Sequence, residues 1–248
     1  MSTLLRKVRV ALTPRAFLLR RRLSNGAIVY GQNRRGFGGR GIYVYGDAIE
    51  PEFRVLERIL APGGVFVDVG ANTGIYTIKA ARHYGARGTV VALEPFPDVF
   101  AMLYKNVCAN DFHNVRLRCC CAGARTGAGT LWLNHGAPNS FSLVKRQEDA
   151  LALSTLTVKL DDLLGWEGLE GLDYLKVDAE GAEAAILEGA MESIERYRPI
   201  IQLEVIINEV SVSFPGYRRF RAPSSPNIVY VPSDHPRMGV FESLGWRD

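Results

Sequence analysis

Two glycines and a carboxylate, placed along two neighbouring apolar segments, have the types and spacing of a nucleotide site. The apolar run 65–69 is followed by Gly70 and Gly74, after which a helical period begins. Such a turn lets a ligand approach the main chain, and the next helix offers free N–H groups. A second apolar run, 88–93, ends at Glu94, where a carboxylate can accept both hydroxyls of a ribose. The combination predicts a site for a nucleoside-containing cofactor.

Other functions for this segment can be weighed against a nucleoside site. The Gly-x-Gly-x-x-Gly pattern of dinucleotide-binding proteins is missing, which argues against an NAD(P)-dependent oxidoreductase. That class is kept as one alternative, and a catalytically inactive binding module on the same fold is another. A plain strand–turn–helix with incidental glycines is the simplest alternative. Because the turn and Glu94 occur together, a cofactor is the interpretation we favour.

Further acidic side chains follow later strand-like segments. Asp178 and Glu180 come directly after the fourth core segment, and Glu204 lies near the end of the fifth. The carboxyl ends of parallel strands meet at one edge of a sheet, so these groups should lie near Glu94. A carboxylate there could act as a general base. Asp178 could instead cap the helix predicted over 181–196.

The chain from about residue 50 alternates strand-like and helical segments joined by short links. This alternation predicts an α/β fold, with a parallel sheet and helices on both faces. The five core strands are expected at 65–69, 88–93, 114–121, 172–177 and 199–206, with further strands at 130–133, 155–160 and 227–232.

The first 49 residues differ from this pattern in their charge. Residues 1–46 hold ten Lys and Arg and no acid, whereas the rest of the chain has 20 basic and 26 acidic residues. We expect two short helical pieces within 1–25, the second beginning at Thr13-Pro14 and ending at Asn25-Gly26. Strands at 27–31 and 42–45 should form a small hairpin. The chain is thus predicted to comprise a basic extension, 1–49, and a catalytic domain, 50–248.

A basic and amphipathic segment favours an anionic partner surface. We therefore expect peripheral contact between residues 1–25 and an anionic membrane at its inner face, with a lid or an ordinary solvated surface as alternatives. No nucleic-acid partner is expected, and the sequence gives no oligomeric state. It also has neither an apolar run of about 20 residues nor a clean secretory signal, so a cytoplasmic location is expected. An Arg-rich, acid-free start permits a mitochondrial leader as a minor alternative.

Cysteine and histidine spacings do not indicate a metal centre. Cys108 stands alone and residues 119–121 are three consecutive cysteines, which suits neither a disulfide nor a zinc site. We expect reduced and mostly buried thiols in a reducing compartment.

Several motifs lie between about residues 50 and 232: Val67-Asp68-Val69-Gly70-Ala71-Asn72-Thr73-Gly74-Ile75-Tyr76, Leu93-Glu94-Pro95, Thr157-x-x-Leu160-Asp161 and, most specifically, Tyr174-Leu175-Lys176-Val177-Asp178-Ala179-Glu180-Gly181-Ala182-Glu183. Together they resemble the FkbM family of S-adenosylmethionine (SAM)-dependent methyltransferases. The chain departs mildly at Ala179, where the family usually has a β-branched residue. The resemblance implies a Rossmann-like seven-strand methyltransferase sheet with SAM as the methyl donor. It also implies O-methylation of a small-molecule acceptor, namely a sugar, glycan or natural product.

The same resemblance implies roles for individual residues. The methionine end of SAM would be lined by Asp68, Gly70, Asn72 and Gly74, the ribose held by Glu94, and adenine placed near Phe96 and Ala122. Ala71, Tyr76 and Pro95 belong to the same motifs and would also contact the cofactor. The acceptor would be bound by Asn139, Ser140 and Ser142, and the methyl group would be faced by Asp178 and Glu180.

Methyl transfer from SAM is an in-line SN2 displacement, so the protein must align the reactants and, for a hydroxyl acceptor, remove a proton. The candidate bases are His135, Asp178, Glu180 and Glu204. The charges of Glu180 and Glu183 should raise the pKa of Asp178 and improve it as a base. Alternatively, Asp178 and Glu204 could hold Mg²⁺, which would acidify the hydroxyl.

Overall fold

The computed structural model describes residues 2–34, 38–133, 141–143, 148, 150–205 and 213–247. The helices of this part of the chain are α1 (Thr3–Leu12), α2 (Gly39–Tyr45), α3 (Pro51–Ile59), α4 (Ile75–Tyr84), α5 (Pro97–Cys108), α6 (Leu160–Trp166), α7 (Glu183–Glu188), α8 (Met191–Tyr197) and α9 (Met238–Ser243). The strands are β1 (Leu18–Arg22), β2 (Ile28–Gln32), β3 (Val65–Val69), β4 (Thr89–Leu93), β5 (Val115–Arg118), β6 (Cys121–Ala122), β7 (Gly127–Leu133), β8 (Phe141–Ser142), β9 (Leu151–Val158), β10 (Tyr174–Val177), β11 (Ile200–Glu204), β12 (Tyr217–Phe220) and β13 (Asn227–Pro232).

The centre of the fold is a seven-stranded sheet in the order β12-β13-β11-β10-β3-β4-β5. The five strands from β11 to β5 run parallel, whereas β13 is antiparallel to both of its neighbours. The chain winds from β3 first towards β5 and then, from β10, in the opposite direction. Ligands of open α/β sheets bind outside the carboxyl ends of the strands at such a reversal. The predicted Rossmann-like seven-strand sheet is confirmed.

Helices cover both faces of this sheet, and alternate side chains of each strand supply the two cores. Phe66 and Tyr174 are register partners whose rings stack at 4.9 Å on the face covered by α3, α4, α5 and α9. Val67 and Leu175 belong to the other face, where they join Ile186 and the remaining apolar residues of α6, α7 and α8. The predicted arrangement of helices on both faces is therefore confirmed.

A second sheet, in the order β6-β9-β7-β8, holds the added strands between β5 and α6. The predicted third core strand is shorter than expected, because β5 ends at Arg118 and the chain then enters β6 of this second sheet. The predicted helix 181–196 is also divided, into α7 and α8. The Gly189 carbonyl between them accepts a hydrogen bond from the Asp161 N–H at 3.0 Å, which ties this break to the start of α6.

The basic extension contains a helix and a hairpin, and they lie only partly in the predicted segments. Helix α1 lies where the first helical piece was predicted, and β2 nearly coincides with the predicted strand 27–31. Residues predicted as the second helical piece form β1, which pairs antiparallel with β2. Leu19 is buried while Arg20 and Arg22 are exposed, the alternation of a strand. Asn25-Gly26, predicted to end a helix, forms the turn of this hairpin, with Gly26 at φ +85°.

The segment predicted as the second hairpin strand, 42–45, is part of helix α2 and buries Ile42, Tyr43 and Val44. The extension is also joined firmly to the rest of the chain. The Tyr30 main chain both donates to and accepts from the Asn106 amide, at 2.7 and 2.8 Å. The division of the chain near residue 49 stays a prediction, since both parts contribute to one core. Among the described residues, no helix is long and apolar enough to cross a membrane.

Candidate functional site

The glycine turn (residues 70–74) joins β3 to α4 at the carboxyl edge of the large sheet. Gly70 has φ +71° and Gly74 has φ +83°, values that favour glycine. A side chain on Gly70 would overlap the Asp178 carbonyl oxygen at the end of β10. The Gly70 and Ala71 N–H groups both donate to the Leu93 carbonyl, at 3.0 and 2.9 Å. The turn is thus packed between the ends of β4 and β10.

Glu94 lies at the end of β4 and is held by the main chain. Its Oε2 accepts from the Asn72 N–H and its Oε1 from the Phe96 N–H, both at 2.9 Å. Burial raises the pKa of the Glu94 carboxyl to about 7, although these two hydrogen bonds lower it. Each carboxylate oxygen has a second lone pair. The group is therefore fixed in orientation and can accept further hydrogen bonds from a ligand.

A cavity of about 270 Å³ lies beside this turn. Its walls come from the ends of β3, β4, β10 and β11 and from the second sheet. The lining residues are Val69, Gly70, Asn72, Leu93, Glu94, Pro95, Phe96, Val99, Cys120, Cys121, Ala122, Leu131, Leu143, Asp178, Ala179, Glu180, Ala182, Ile186 and Glu204. Glu94 and the acidic residues that follow β10 and end β11 therefore share one space, as the sequence predicted.

Asp178 and Glu204 form a hydrogen-bonded carboxyl pair at the ends of adjacent strands. Burial, followed by the contact with Asp178, raises the pKa of Glu204 to about 9. Burial alone would raise the pKa of Asp178, but the charge of Lys176 and the hydrogen bond from Glu204 outweigh it and lower that pKa. Because the pKa of Glu204 is raised and that of Asp178 is lowered, the pair holds one proton and one negative charge between its two carboxyl groups near neutral pH.

Lys176 balances this negative charge, a role that the sequence analysis missed. Its Nζ lies 3.2 Å from Asp178 Oδ2 and 3.7 Å from Asp68 Oδ1, with 6% of the side chain exposed. Burial lowers the pKa of Lys176, but the negative charges of Asp178 and Asp68 outweigh burial and raise this pKa above the usual lysine value. The ammonium group therefore stays charged. The signal was present, since residues two apart in a strand share a face and a lysine in a buried strand needs a partner.

The predicted pKa shift of Asp178 was wrong, and the alternative in which Asp178 caps a helix is excluded. Its pKa is lowered rather than raised, because Lys176 adjoins it and Glu183 turns away to accept from the Ala179 and Gly181 N–H groups, at 3.2 and 3.0 Å. Asp178 also does not cap a helix, since α7 begins only at Glu183.

Asp68 and Tyr76 lie beneath the cavity rather than in its wall. Asp68 Oδ2 accepts from the Thr77 N–H at 3.1 Å and from the Thr77 hydroxyl at 2.6 Å, which links β3 to α4. The Tyr76 hydroxyl donates to Glu50 at 2.6 Å and accepts from Gln202 at 3.2 Å. Both side chains are buried and absent from the cavity lining, and their contacts support the turn. Their direct contact with a cofactor stays a prediction.

The other predicted site residues fall into four groups. The cavity is lined by Gly70, Asn72, Glu94, Pro95, Phe96, Ala122, Asp178, Glu180 and Glu204, but not by Ala71 or Gly74. Three residues lie outside the described part of the chain: His135, Asn139 and Ser140. Ser142 is described only by its main-chain pairing with Trp132.

The Mg²⁺ alternative finds no support. Within the described ranges, no three His, Cys, Asp or Glu side chains lie close enough together to hold a metal ion. Asp178 and Glu204 instead share a proton, and the Lys176 ammonium already balances the charge of Asp178. The two carboxyl groups are thus better suited to sharing a proton and pairing with an ammonium group than to binding a divalent cation.

The four thiols are free, as expected, but not mostly buried. Cys108 and Cys119 are exposed, Cys120 is half-buried and Cys121 is buried. Burial raises the pKa of Cys121 to about 12, so this thiol stays protonated as part of the cavity wall.

Comparisons with known proteins find methyltransferases. The Methyltransferase FkbM domain family matches residues 68–228. Among sequence relatives, Methyltransferase sdnD of Sordaria araneosa is 29% identical over 158 residues, covering 51% of this chain and 60% of that protein. The 31-O-demethyl-FK506 methyltransferase FkbM of Streptomyces tacrolimicus is 28% identical over 202 residues, covering 69% and 75%.

Solved methyltransferase structures are more distant. Methyltransferase FkbM from Methylobacillus flagellatus KT gives a TM-score of 0.47 at 16% identity, covering 77% of this chain and 52% of that one. The putative methyltransferase yhhF of Escherichia coli gives 0.48 at 13% identity, covering 85% and 96%. The chain spans only 60% of the length of the S. araneosa relative. Since the family match extends over residues 68–228 of a 248-residue chain, the protein belongs to the FkbM methyltransferase family.

Proposed function

We propose that this protein transfers a methyl group from SAM to a hydroxyl of a sugar, glycan or other natural-product acceptor. The proposal rests on one observation. A single cavity is lined both by Glu94, whose carboxylate accepts hydrogen bonds from main-chain N–H groups, and by the Asp178–Glu204 pair. The S. tacrolimicus relative is named for 31-O-demethyl-FK506, which supports an oxygen acceptor here. Family membership also makes the NAD(P)-dependent alternative unnecessary.

The cofactor end of the cavity fits SAM. The main chain of Gly70 and Asn72 lines this end, and Glu94 can accept hydrogen bonds from the two ribose hydroxyls. Phe96 and Ala122 offer apolar surface for the adenine ring. When bound, SAM supplies an electrophilic methyl group on a sulfonium sulfur.

The acceptor end supplies a base. An alcohol is a weak acid, so its proton must leave as the new C–O bond forms. Asp178 carries the negative charge of the carboxyl pair and can take that proton on a carboxylate oxygen. Glu204 keeps its own proton, and Lys176 holds Asp178 ionised before the acceptor arrives. Glu180 lines the same cavity and is the second candidate base, and His135 stays a prediction.

We also infer that the protein works in the cytoplasm. A reducing compartment suits four free thiols, two of which line the cavity.

Two measurements test the proposal. Titration calorimetry should show that SAM and its demethylated product bind and that NADH does not. Preferential NADH binding would overturn the choice of cofactor. Incubation with SAM and a set of sugars and hydroxylated natural products, followed by mass spectrometry of fragments, should then locate the added methyl group on oxygen. Transfer to nitrogen or carbon alone would overturn the hydroxyl acceptor.

A further inference from the structure

The first helix exposes its apolar side chains to solvent. Leu4, Leu5, Val8 and Leu12 are 72%, 57%, 47% and 78% exposed. Residues spaced by one, four and eight positions lie on one side of a helix, so these four form a continuous apolar stripe along α1. This pattern is the reverse of an ordinary surface helix, whose apolar side faces the core.

The contacts of α1 with the rest of the molecule set the orientation of this stripe. Arg6 donates to the Val44 carbonyl at 3.3 Å, and Val10 packs against the small cluster of Leu19, Tyr43 and Val44. Positions 6 and 10 lie on the side of the helix opposite position 8. The helix is therefore attached by its other side, and the apolar stripe faces away from the molecule.

An arginine-rich groove adjoins the stripe between α1 and β1. It encloses about 850 Å³, and its rim includes Leu12, Phe17 and Leu18. Phe17 and Leu18 are themselves 61% and 40% exposed, which extends the apolar surface beyond the helix. The cationic lining of this groove consists of Arg6, Arg9, Arg20, Arg21 and Arg22.

We propose that α1 and the arginine groove form a docking surface for a membrane that contains anionic lipids. The apolar stripe would enter the interface between headgroups and acyl chains, and the groove arginines would bind lipid phosphates. We choose an anionic membrane as the partner because of charge complementarity, since residues 1–46 have ten basic and no acidic side chains. A second copy that docked through the same surface would bring the same positive charge to the contact and be repelled. The proposal does not depend on methyl transfer.

Vesicle flotation with the full chain tests the docking surface. We expect binding to vesicles of phosphatidylcholine with phosphatidylglycerol, little binding to phosphatidylcholine alone, and weaker binding at high salt. Each basic residue near the membrane strengthens binding to the vesicles by roughly fivefold. The double variant Arg9→Glu/Arg20→Glu should therefore lose at least about 25-fold, and Leu5→Glu/Leu12→Glu should abolish binding.

Matched controls separate docking from general changes in charge or polarity. Arg54→Glu/Arg58→Glu reverses two exposed charges on α3, and Trp166→Glu replaces a residue that is 67% exposed on α6. Both controls should bind vesicles as the wild type does, and all variants should keep the wild-type melting temperature. Equal binding to neutral vesicles, or full binding by Leu5→Glu/Leu12→Glu, would overturn the proposal. It would also be overturned if the stripe variants changed only a monomer–dimer equilibrium, or if inorganic phosphate bound the protein as well as vesicles do.

Discussion

The two acidic sites of the cavity are held in opposite ways. Glu94 is bound by two main-chain N–H groups, whereas Asp178 is bound by the side chains of Lys176 and Glu204. Burial raises the pKa of Glu94 to about 7, because the hydrogen bonds from its uncharged main-chain partners only partly offset burial. The ammonium beside Asp178 lowers its pKa instead. A carboxylate fixed by the backbone suits recognition of a ligand. A carboxylate beside an ammonium group stays ionised and available to accept a proton at neutral pH, but its lowered pKa makes it a weaker base than a carboxylate with a raised pKa.

The largest expected effect is at the acceptor site. Asp178→Asn keeps the shape of the side chain but cannot accept a proton, so turnover should fall by about 10²-fold or more. SAM affinity should change by no more than roughly tenfold, because Glu94 keeps its two main-chain partners. Turnover and SAM titration on one preparation provide the measurement.

A melting curve of the same variant distinguishes lost chemistry from lost structure. Lys176 keeps Asp68 as a partner, so the melting temperature of Asp178→Asn should fall by only a few degrees, on the order of 1–2 kcal/mol. Wild-type turnover in a folded Asp178→Asn protein would contradict the assignment and favour Glu180 or His135 as the base.

A smaller effect is expected at the cofactor site. Glu94→Ala should remove the two charge-assisted hydrogen bonds that we propose Glu94 accepts from the ribose, and should weaken SAM binding by about 2 kcal/mol, roughly 30-fold. Glu94→Gln keeps one acceptor and should lose less. Calorimetric dissociation constants for both variants test this, and an unchanged constant for Glu94→Ala would place the ribose elsewhere. Single-turnover rates at saturating SAM should stay close to wild type.

The smallest effect is a pH dependence of SAM affinity. Ribose hydroxyls donate hydrogen bonds, so SAM favours ionised Glu94, whose pKa is about 7 in the unliganded protein. Lowering the pH from 8 to 6 protonates the group before binding and should weaken SAM by up to roughly tenfold. Glu94→Gln, which does not titrate, should flatten this profile. A flat wild-type profile would show that the ionised form is not needed.

The sequence was sufficient to predict that Gly70 and Glu94 lie together, because the signals for this part of the cavity are local. Gly70 and Glu94 end neighbouring strands, and the topology of parallel strands brings such ends together. For Asp178 the sequence signals only part of the site, because the spacing of Lys176 indicates a charged partner but the full charge state is not a local property. It depends on Lys176 and Glu204 across two strands, and the register that aligns Lys176 with Asp68 exists only in the folded sheet.

The basic extension was harder to predict because its patterns are ambiguous. Asn25-Gly26 can end a helix or form a hairpin turn, and the run Leu18-Leu19-Arg20-Arg21-Arg22 has no distinct period. Residues 18–22 form a strand because they pair with β2. Residues 42–45 are helical because the packing of Ile42 and Val44 favours helix α2. Tertiary contacts outweighed local preference at both places.

A double-mutant cycle most directly tests the central claim, which is that Glu94 serves to bind SAM and Asp178 serves to accept the proton. It compares the wild type, Glu94→Gln, Asp178→Asn and the double variant by SAM affinity and by single-turnover methyl transfer at saturating SAM. If the two sites act separately, Glu94→Gln should weaken SAM equally in both backgrounds and Asp178→Asn should slow transfer equally in both, within about 0.5 kcal/mol. A coupling above about 1 kcal/mol, or transfer that depends on Glu94 as strongly as on Asp178, would contradict the account.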